Sequence, residues 1–334
     1  MVKDIGNVKH FNEEDLRFAT PIDVANYRAK RLKCNRIVDL CSGIGIQAGA
    51  FAKTCKEVLA IEIDERKVEF AKKNFKSVKN LNFEVGDVLS EEIIEMISKF
   101  KPNIIFCDPE RLAQEKERNI ESIQPDIKKL IKVYSKITPN LCIEMPPRID
   151  IEKLNELGNS EKEYLSVDNK LNRLDIYFGD LKKDDISVVD VFSEMRVVDN
   201  KDKKSKTTKE LLNYVYEVSE AVIKAGLINE LASFVCADVL EGTEKNKVLL
   251  TSKEPSLELG VLARCYDILS ITLRFEEINQ VLKKNNFGKV VIKYSIDPKD
   301  YWKERNIVER GLRGDRESVV FKINSKYVIC EEFD

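Results

Sequence analysis

A doubly wound α/β sheet carrying helices at its amino end, followed by a smaller α+β domain, is the fold class that these 334 residues predict. Three observations predict it. Short apolar runs alternate with helical stretches from Arg36 to Glu144, which argues for parallel strands joined by right-handed crossovers. The first of these runs, Ile37-Val38-Asp39-Leu40, passes into a turn with Ser42, Gly43 and Gly45, where the backbone can take unusual φ values before a helix from Ile46 to Lys53. Beyond a polar stretch from Asp199 to Lys209 the pattern changes to strand, helix, strand, helix, strand, strand, the order of a small α+β domain.

Taken in order, residues 1–33 form an amino-terminal helical segment. Asn12 can cap a turn starting Glu13-Glu14-Asp15, and Thr20-Pro21 starts a second helix through Arg28. This segment either packs on the sheet edge or serves as a lid over the cofactor or a target-binding arm, with Tyr27, Arg28, Lys30 and Arg31 as exposed handles. The sheet domain spans 34–198. Its strands are Ile37 to Leu40, Val58 to Ile63, Leu81 to Val85, Asn103 to Cys107 and Leu141 to Glu144, with helices at Glu65 to Phe75, Glu91 to Phe100 and around Ile127 to Ile137. Leu174 to Phe178 and Ser187 to Phe192 suggest two further strands joined by the polar turn Asp180 to Asp185 as an antiparallel edge.

Residues 199–210 are expected to be a linker and 211–263 a connecting segment, with a helix from Glu217 to Ala232. The last domain, 264–334, takes strands at Cys265 to Ile271, Lys289 to Ser295, Glu317 to Ile323 and Tyr327 to Glu331, and helices at Phe275 to Lys284 and Lys299 to Gly311. Its second helix and the turn after it hold Trp302, Lys303, Arg305, Arg310, Arg313 and Arg316, a basic and aromatic cluster suited to phosphate, interrupted by Glu304, Glu309 and Asp315. The run Lys201 to Lys209 is a second basic stretch, more in keeping with a solvated hinge.

Composition narrows the chemistry. A net charge of −2 gives no global basic signature, so a nucleic-acid surface must be a local patch. Eight cysteines without a CxxC pair, and no long apolar span, suit a reduced cytoplasmic protein away from membranes. One histidine, His10, leaves little room for Ser-His-Asp catalysis or for zinc and iron sites that need imidazole. No metal is expected. Chemistry that depends on positioning more than on proton shuttling gains.

In doubly wound sheets ligands sit at the carboxyl ends of the strands. There the chain places Asp39 to Gly45, Glu62, Gly86-Asp87, Asp108 to Arg111 and Glu144 to Arg148. Gly43-x-Gly45-x-x-Ala48, with Glu62 about 20 residues on, also matches a dinucleotide site. Three features favour S-adenosylmethionine instead. Asp39 precedes the glycines, where a carboxylate can meet an ammonium; Asp87 can accept from an adenine amino group; and Asp108-Pro109 ends the fourth strand, where a nucleophile would face the methyl sulfonium.

Asp39-Leu40-Cys41-Ser42-Gly43-Ile44-Gly45, Ala60-Ile61-Glu62-Ile63-Asp64 and Gly86-Asp87-Val88 resemble the first three motifs of class I S-adenosylmethionine-dependent methyltransferases. The resemblance implies a Rossmann-like sheet, Gly43 and Gly45 under the methionine part, Glu62 on the ribose and Asp87 on the adenine, with Cys41, Ser42, Ile63, Gly86 and Val88 around them. Asp108-Pro109-Glu110-Arg111 departs from Asn or Asp-Pro-Pro-Tyr and is similar to the Asp-Pro-Ala-Arg form of methyltransferases with a carboxyl-terminal THUMP-like domain. Phe18 to Pro21, Tyr27 to Ala29, Gln124 to Ile127, Met145 to Asp150, Tyr216-Glu217 and Ala221 to Gly226 extend the likeness, and the tail fits a ferredoxin-like, THUMP-like domain. The family implies RNA modification.

The expected function is methylation of a base nitrogen in tRNA or rRNA. Asp108 orients the target nitrogen, Pro109 bends the chain to present it, Arg111 holds a phosphate or base edge, and Glu110 accepts a proton or hydrogen bond. The competing readings are a methyltransferase of a small molecule or protein with a purely structural tail, and a non-catalytic binding protein on the same fold.

Overall fold

The computed structural model describes residues 4–6, 8–111, 120–200, 202–243, 247–256 and 262–333, the side chains of Phe18 and Arg111 excepted. Two units divide the chain: Met1–Val167 with Leu171–Val198, and Asp168–Lys170 with Asp199–Asp334.

The first unit opens with α1 (Glu13–Phe18) and α2 (Ile22–Arg31). Asp15 accepts the Asn12 amide at 2.8 Å and so closes the first turn of α1, whose amino end is acidic as a helix dipole favours. There follow β1 (Arg36–Leu40), α3 (Ile46–Phe51), β2 (Glu57–Glu62), α4 (Glu65–Asn74), β3 (Leu81–Val85), α5 (Glu91–Phe100) and β4 (Ile104–Cys107). A short antiparallel pair, β5 (Glu110–Arg111) with β6 (Ile123–Gln124), leads to α6 (Ile127–Tyr134), β7 (Leu141–Met145) and α7 (Ile151–Asn155). The unit closes with β8 (Glu161–Val167), β9 (Lys170–Tyr177), β10 (Ile186–Asp190) and β11 (Arg196–Val198).

Among the described residues nine strands form one sheet in the order β11-β10-β8-β9-β7-β4-β1-β2-β3. From β3 to β7 all pairs are parallel, and β9 runs antiparallel to β7. β4 and β7 are buried at every position, which is why β4 is a continuous apolar run and β7 is apolar apart from Glu144. Phe51 from α3 packs edge-on to Phe106 of β4, with ring centroids 5.4 Å apart, and ties helix to sheet.

The carboxyl-terminal part of this sheet departs from expectation. The strands at Leu174 and Ser187 are not neighbours: β8 lies between β9 and β10, and β10 pairs parallel with it. β8 escapes a hydropathy reading because Glu161 and Glu163, its first and third residues, are charged yet fully buried.

In the second unit the expected linker and connecting segment are parts of one eight-stranded sheet. Its elements are β12 (Thr207–Thr208), β13 (Tyr214–Val218), α8 (Glu220–Ala225), α9 (Ile228–Phe234), β14 (Asp238–Leu240), β15 (Leu249–Ser252), β16 (Ala263–Thr272), α10 (Phe275–Lys284), β17 (Phe287–Ile292), α11 (Tyr301–Val308), β18 (Arg316–Ile323) and β19 (Lys326–Glu332). The strand order is β12-β14-β15-β13-β16-β19-β18-β17. β13 stands between β15 and β16 and joins the expected segments into one layer. The single helix expected from Glu217 is a strand end and two helices, parted at Gly226, which takes φ +75°. From β16 onward the order is β-α-β-α-β-β; a ferredoxin-like domain runs β-α-β-β-α-β, so the connections differ.

Candidate active site

The parallel register carries the expected motifs to one edge. Asp39 pairs with Ala60 on one side and Phe106 on the other, so β1, β2 and β4 end together and release Cys41, Ile63 and Asp108 at the same level. β3 ends beside them at Gly86-Asp87, whose Gly86 amide bonds the Glu62 carbonyl at 2.9 Å.

The turn after β1 is built from backbone. Cys41, Gly43 and Gly45 all take positive φ, 62°, 55° and 87°. Ser42 donates to the Ile61 carbonyl and accepts from the Gly45 amide, each at 3.0 Å. A Cβ at Gly43 would meet nothing within 4 Å, which leaves open room for a ligand to approach the chain. At Gly45 it would strike Phe83 at 2.9 Å, so that glycine serves packing under the loop.

Glu62 is clamped across the turn. One oxygen accepts the Gly43 amide at 2.8 Å and the other the Ile63 and Asp64 amides at 2.9 and 3.0 Å. A carboxylate has about four acceptor positions, so capacity remains for a hydroxyl. Ile63 beside it is 69% exposed, an apolar face beside the polar loop. Asp87 is exposed and accepts the Leu89 amide at 2.8 Å, while the carbonyl of buried Val88 receives the Tyr134 hydroxyl at 2.6 Å.

Asp39 is only 1% exposed, and neither of its carboxylate oxygens has a hydrogen-bond donor among the described residues. Burial and the neighbouring Asp108 charge hold its pKa well above the carboxylate range. Asp108 itself is half-buried and receives a long hydrogen bond from Thr20 at 3.4 Å. Burial, then the Glu144 carboxylate, raise its pKa to about 7. Pro109 is buried, Glu110 is exposed in β5, and the Arg111 side chain lies outside the described residues. The Cys41 thiol meets Cys107 under the loop, and burial with that contact pushes Cys107 up.

Orphaned buried oxygens on Asp39 and Ser42, open space at Gly43 and a preset Glu62 are a polar cradle that fits S-adenosylmethionine. Asp39 faces where an ammonium would be held, Glu62 would take ribose hydroxyls, and Asp87 would take the adenine.

Three expected handles are elsewhere. Arg28 is wholly buried: its Nε and Nη2 bind Asp175 at 2.9 and 2.6 Å, and Nη2 binds Glu144 at 2.7 Å. Tyr27 is 8% exposed and donates to Glu163 at 2.8 Å. Arg31 stacks on Tyr177 at 4.3 Å and pairs with Glu161 at 3.0 Å. They turn inward because β8 and β9 present buried carboxylates to α2, so they are structural partners and not an exposed arm. Lys30 alone of this group remains at the surface, paired with Glu194.

In the second unit Trp302 is 64% exposed and Lys303, Arg310 and Arg313 are exposed. Arg305 is occupied by Glu309 at 3.1 Å and stacks on Trp302, and Arg316 binds Glu331 at 2.9 Å. Lys206 pairs with Asp238 at 3.4 Å, and Lys201 lies outside the described residues.

Comparison with known proteins agrees with this geometry. A family model of RNA cap guanine-N2 methyltransferases matches residues 34–181. Residues 34–181 of the first unit are thus similar to S-adenosylmethionine-dependent methyltransferases. The chain is 35% identical over 98 residues to a release factor glutamine methyltransferase of Thermodesulfovibrio yellowstonii, covering 28% of this chain and 32% of that one. It is 24% identical over 149 residues to an uncharacterised S-adenosylmethionine-dependent methyltransferase of Mycobacterium tuberculosis, covering 44% of this chain and 39% of the relative. The chain thus spans about a third to two fifths of the curated relatives it matches. A crystal structure of a candidate methyltransferase from Porphyromonas gingivalis W83 shares the fold over 98% of this chain and 84% of its own, with a TM-score of 0.79 at 15% identity.

Within the first unit the structure adds residues that sequence reasoning left out of the site. Glu144, 6% exposed at the end of β7, and Arg173 of β9, its ion-pair partner at 3.0 Å, flank Asp108. Glu144 was legible as a strand end next to the fourth motif. Arg173 and Asp175 carried no motif, since their role depends on β9 lying beside β7.

Proposed function

We propose that the protein methylates a base nitrogen in a tRNA or rRNA of the cytoplasm, using S-adenosylmethionine. The observation that carries this reading is Asp108, a carboxylate with pKa raised to about 7, standing at the end of β4 beside the cofactor cradle. A group poised near neutral pH can accept a hydrogen bond from an N–H nucleophile and then its proton. The match of residues 34–181 to a family that acts on a guanine amine of RNA supports RNA as the class of target.

Bound cofactor supplies the methyl group. Asp108 aligns the acceptor nitrogen, and Pro109 and the β5 to β6 pair direct the chain around it. Alignment of this kind contributes up to about 7–11 kcal/mol in favourable cases and needs no histidine. Glu110, exposed beside Asp108, is proposed to accept a second hydrogen bond from the base, and Arg111 is proposed to hold its phosphate. Trp302, Lys303, Arg310 and Arg313 are proposed to contact the RNA by stacking and phosphate pairing.

Mass spectrometry of nucleosides from a deletion strain tests the reading: one methylated base should disappear from bulk RNA and return with the wild-type gene but not with Asp108→Ala. That variant should keep cofactor binding and lose turnover by about 100-fold or more. The likeness to a glutamine methyltransferase favours an amide nitrogen of a protein as the second reading. Incubating deletion-strain lysate with methyl-labelled cofactor separates them, since label in protein alone would replace RNA as the substrate.

A further inference from the structure

We propose that Asp108 is left without a cationic partner so that the sulfonium of S-adenosylmethionine completes it, and that Asp108 thereby makes the site prefer the charged cofactor over its neutral thioether product. The inference rests on the methyltransferase reading and deepens it.

The charges at the strand ends pair off incompletely. Arg28 holds Asp175 through two bonds of 2.9 and 2.6 Å and reaches Glu144 at 2.7 Å. Arg173 holds the other Glu144 oxygen at 3.0 Å. Two guanidiniums thus match two carboxylates. Glu62 is held by three backbone amides at 2.8 to 3.0 Å. Asp39 and Asp108 remain. Asp39 is 1% exposed with both oxygens unpartnered, and Asp108 has only the Thr20 hydroxyl at 3.4 Å, with no cation at ion-pair distance among the described residues.

Every element around Asp108 adds to the imbalance or fails to cancel it. Glu144 and Asp175 repel its charge from β7 and β9, Asp39 does so from β1, and Glu62 lies beyond Asp39 on β2. Arg28 from α2 and Arg173 from β9 oppose them, but both form ion pairs with other carboxylates, and Arg28, whose Nη1 has no hydrogen-bond partner among the described residues, makes no ion pair with Asp108. The Cys107 thiol, its pKa pushed well up, is a neutral neighbour. An uncompensated buried carboxylate either takes a proton or waits for a cation. Empty of ligand at neutral pH, Asp108 is divided between the two states.

The reaction then keeps the charge of the pocket constant. The acceptor nitrogen's lone pair forms the N–C bond, and the C–S electron pair returns to sulfur. The N–H electron pair stays on nitrogen, and the proton passes to Asp108. Positive charge lost at sulfur is replaced by that proton. A fresh cofactor must displace it, whereas the thioether product leaves it in place.

Calorimetry on the full chain with S-adenosylmethionine and S-adenosylhomocysteine, at pH 6 and pH 8, tests this without an RNA substrate. At pH 8 the cofactor should bind about tenfold tighter than the product for each unit by which it lowers the Asp108 pKa. The ratio should fall toward one at pH 6, where Asp108 is already protonated. Near pH 7, buffers of different ionisation heat should reveal proton release with the cofactor and none with the product. Asp108→Asn should bring the ratio to about one while product binding, which reports on folding, persists. Asp39→Asn should weaken both ligands alike. Equal affinities at pH 8 in the wild type, or a preference that survives Asp108→Asn, would overturn the inference alone. Binding of neither ligand would overturn it together with the methyltransferase reading.

Discussion

On the β8 to β11 side of the first unit's sheet, Glu161 and Glu163 are buried completely, and each has cationic partners: Glu161 has Arg31 and Arg196, with the Ser187 hydroxyl, while Glu163 takes the Tyr27 and Tyr177 hydroxyls on one oxygen and lies at ion-pair distance from Arg31 and Arg196 through the other. On the β1 to β4 side Asp39 is buried almost as deeply, and its oxygens have no ion pair or side-chain donor among the described residues. The same residue types therefore mean different things a few strands apart. Carboxylates matched by guanidinium hold the sheet to its amino-terminal helix, and those left unmatched mark the place for a ligand. Arg28 sits on the border, serving Asp175 and Glu144 while lying close enough to Asp108 and Asp39 to moderate both.

Removing that border residue should have the largest effect. Arg28→Met leaves Asp175 buried without its guanidinium and takes one of Glu144's two cations, and breaking such a buried pair destabilises by about 3–5 kcal/mol. Urea denaturation should show the midpoint falling steeply. A midpoint that stayed put would mean that the paired half is not held by its charges, and the comparison would fail at its root.

Glu62→Ala probes the ligand half. Loss of hydrogen bonds between a carboxylate and ribose hydroxyls should weaken S-adenosylmethionine about 10- to 100-fold by calorimetry, with the Gly43 amide left without its partner. Folding should change far less than in Arg28→Met. Comparable damage to stability would instead place Glu62 with the structural carboxylates.

Asp108→Asn should move stability the other way. The folded pKa is raised from the ordinary 3.8 to about 7, so the protonated form stabilises the fold at low pH, and that contribution is lost as pH rises from about 4 through 7. Above pH 7 the wild type carries a charge it cannot compensate. The neutral variant should then melt higher at pH 8, by roughly 2–4 °C for each kcal/mol recovered, and show no gain at pH 4. Such a gain, joined to lost turnover, is the signature of a residue kept for function at the expense of the fold.

How much of this was legible depends on which half is considered. The ligand half follows rules of local sequence: β-branched strands, positive-φ glycines and acidic strand ends at fixed spacing gave β1 to β4 and the positions of Asp39, Glu62, Asp87 and Asp108. The paired half hides from such rules. Glu161 and Glu163 make β8 resemble a surface segment, and Tyr27, Arg28 and Arg31 resemble exposed handles, because each is polar until its partner from a distant strand is known. Long-range pairing likewise turned the polar 199–210 stretch and the segment after it into sheet: Thr207 lies beside Val239, and Tyr214 beside Ser252 and Asp267.

The smallest of the effects separates the two meanings of a polar residue most cleanly. Tyr27 was a natural choice for a substrate contact, yet its hydroxyl is buried against Glu163 at 2.8 Å, and burial with that charge keeps the phenol protonated far above its ordinary pKa. Tyr27→Phe removes one hydrogen bond to a carboxylate that keeps the Tyr177 hydroxyl at 3.0 Å and Arg31 at 3.3 Å. The loss should be about 1 kcal/mol, since the remaining partners still satisfy the charge. Thermal melting should register it as a shift of a few degrees at most, while cofactor affinity and turnover on deletion-strain RNA stay at wild-type levels. A fall in turnover with stability intact would return Tyr27 to the substrate surface and show that the paired half takes part in function after all.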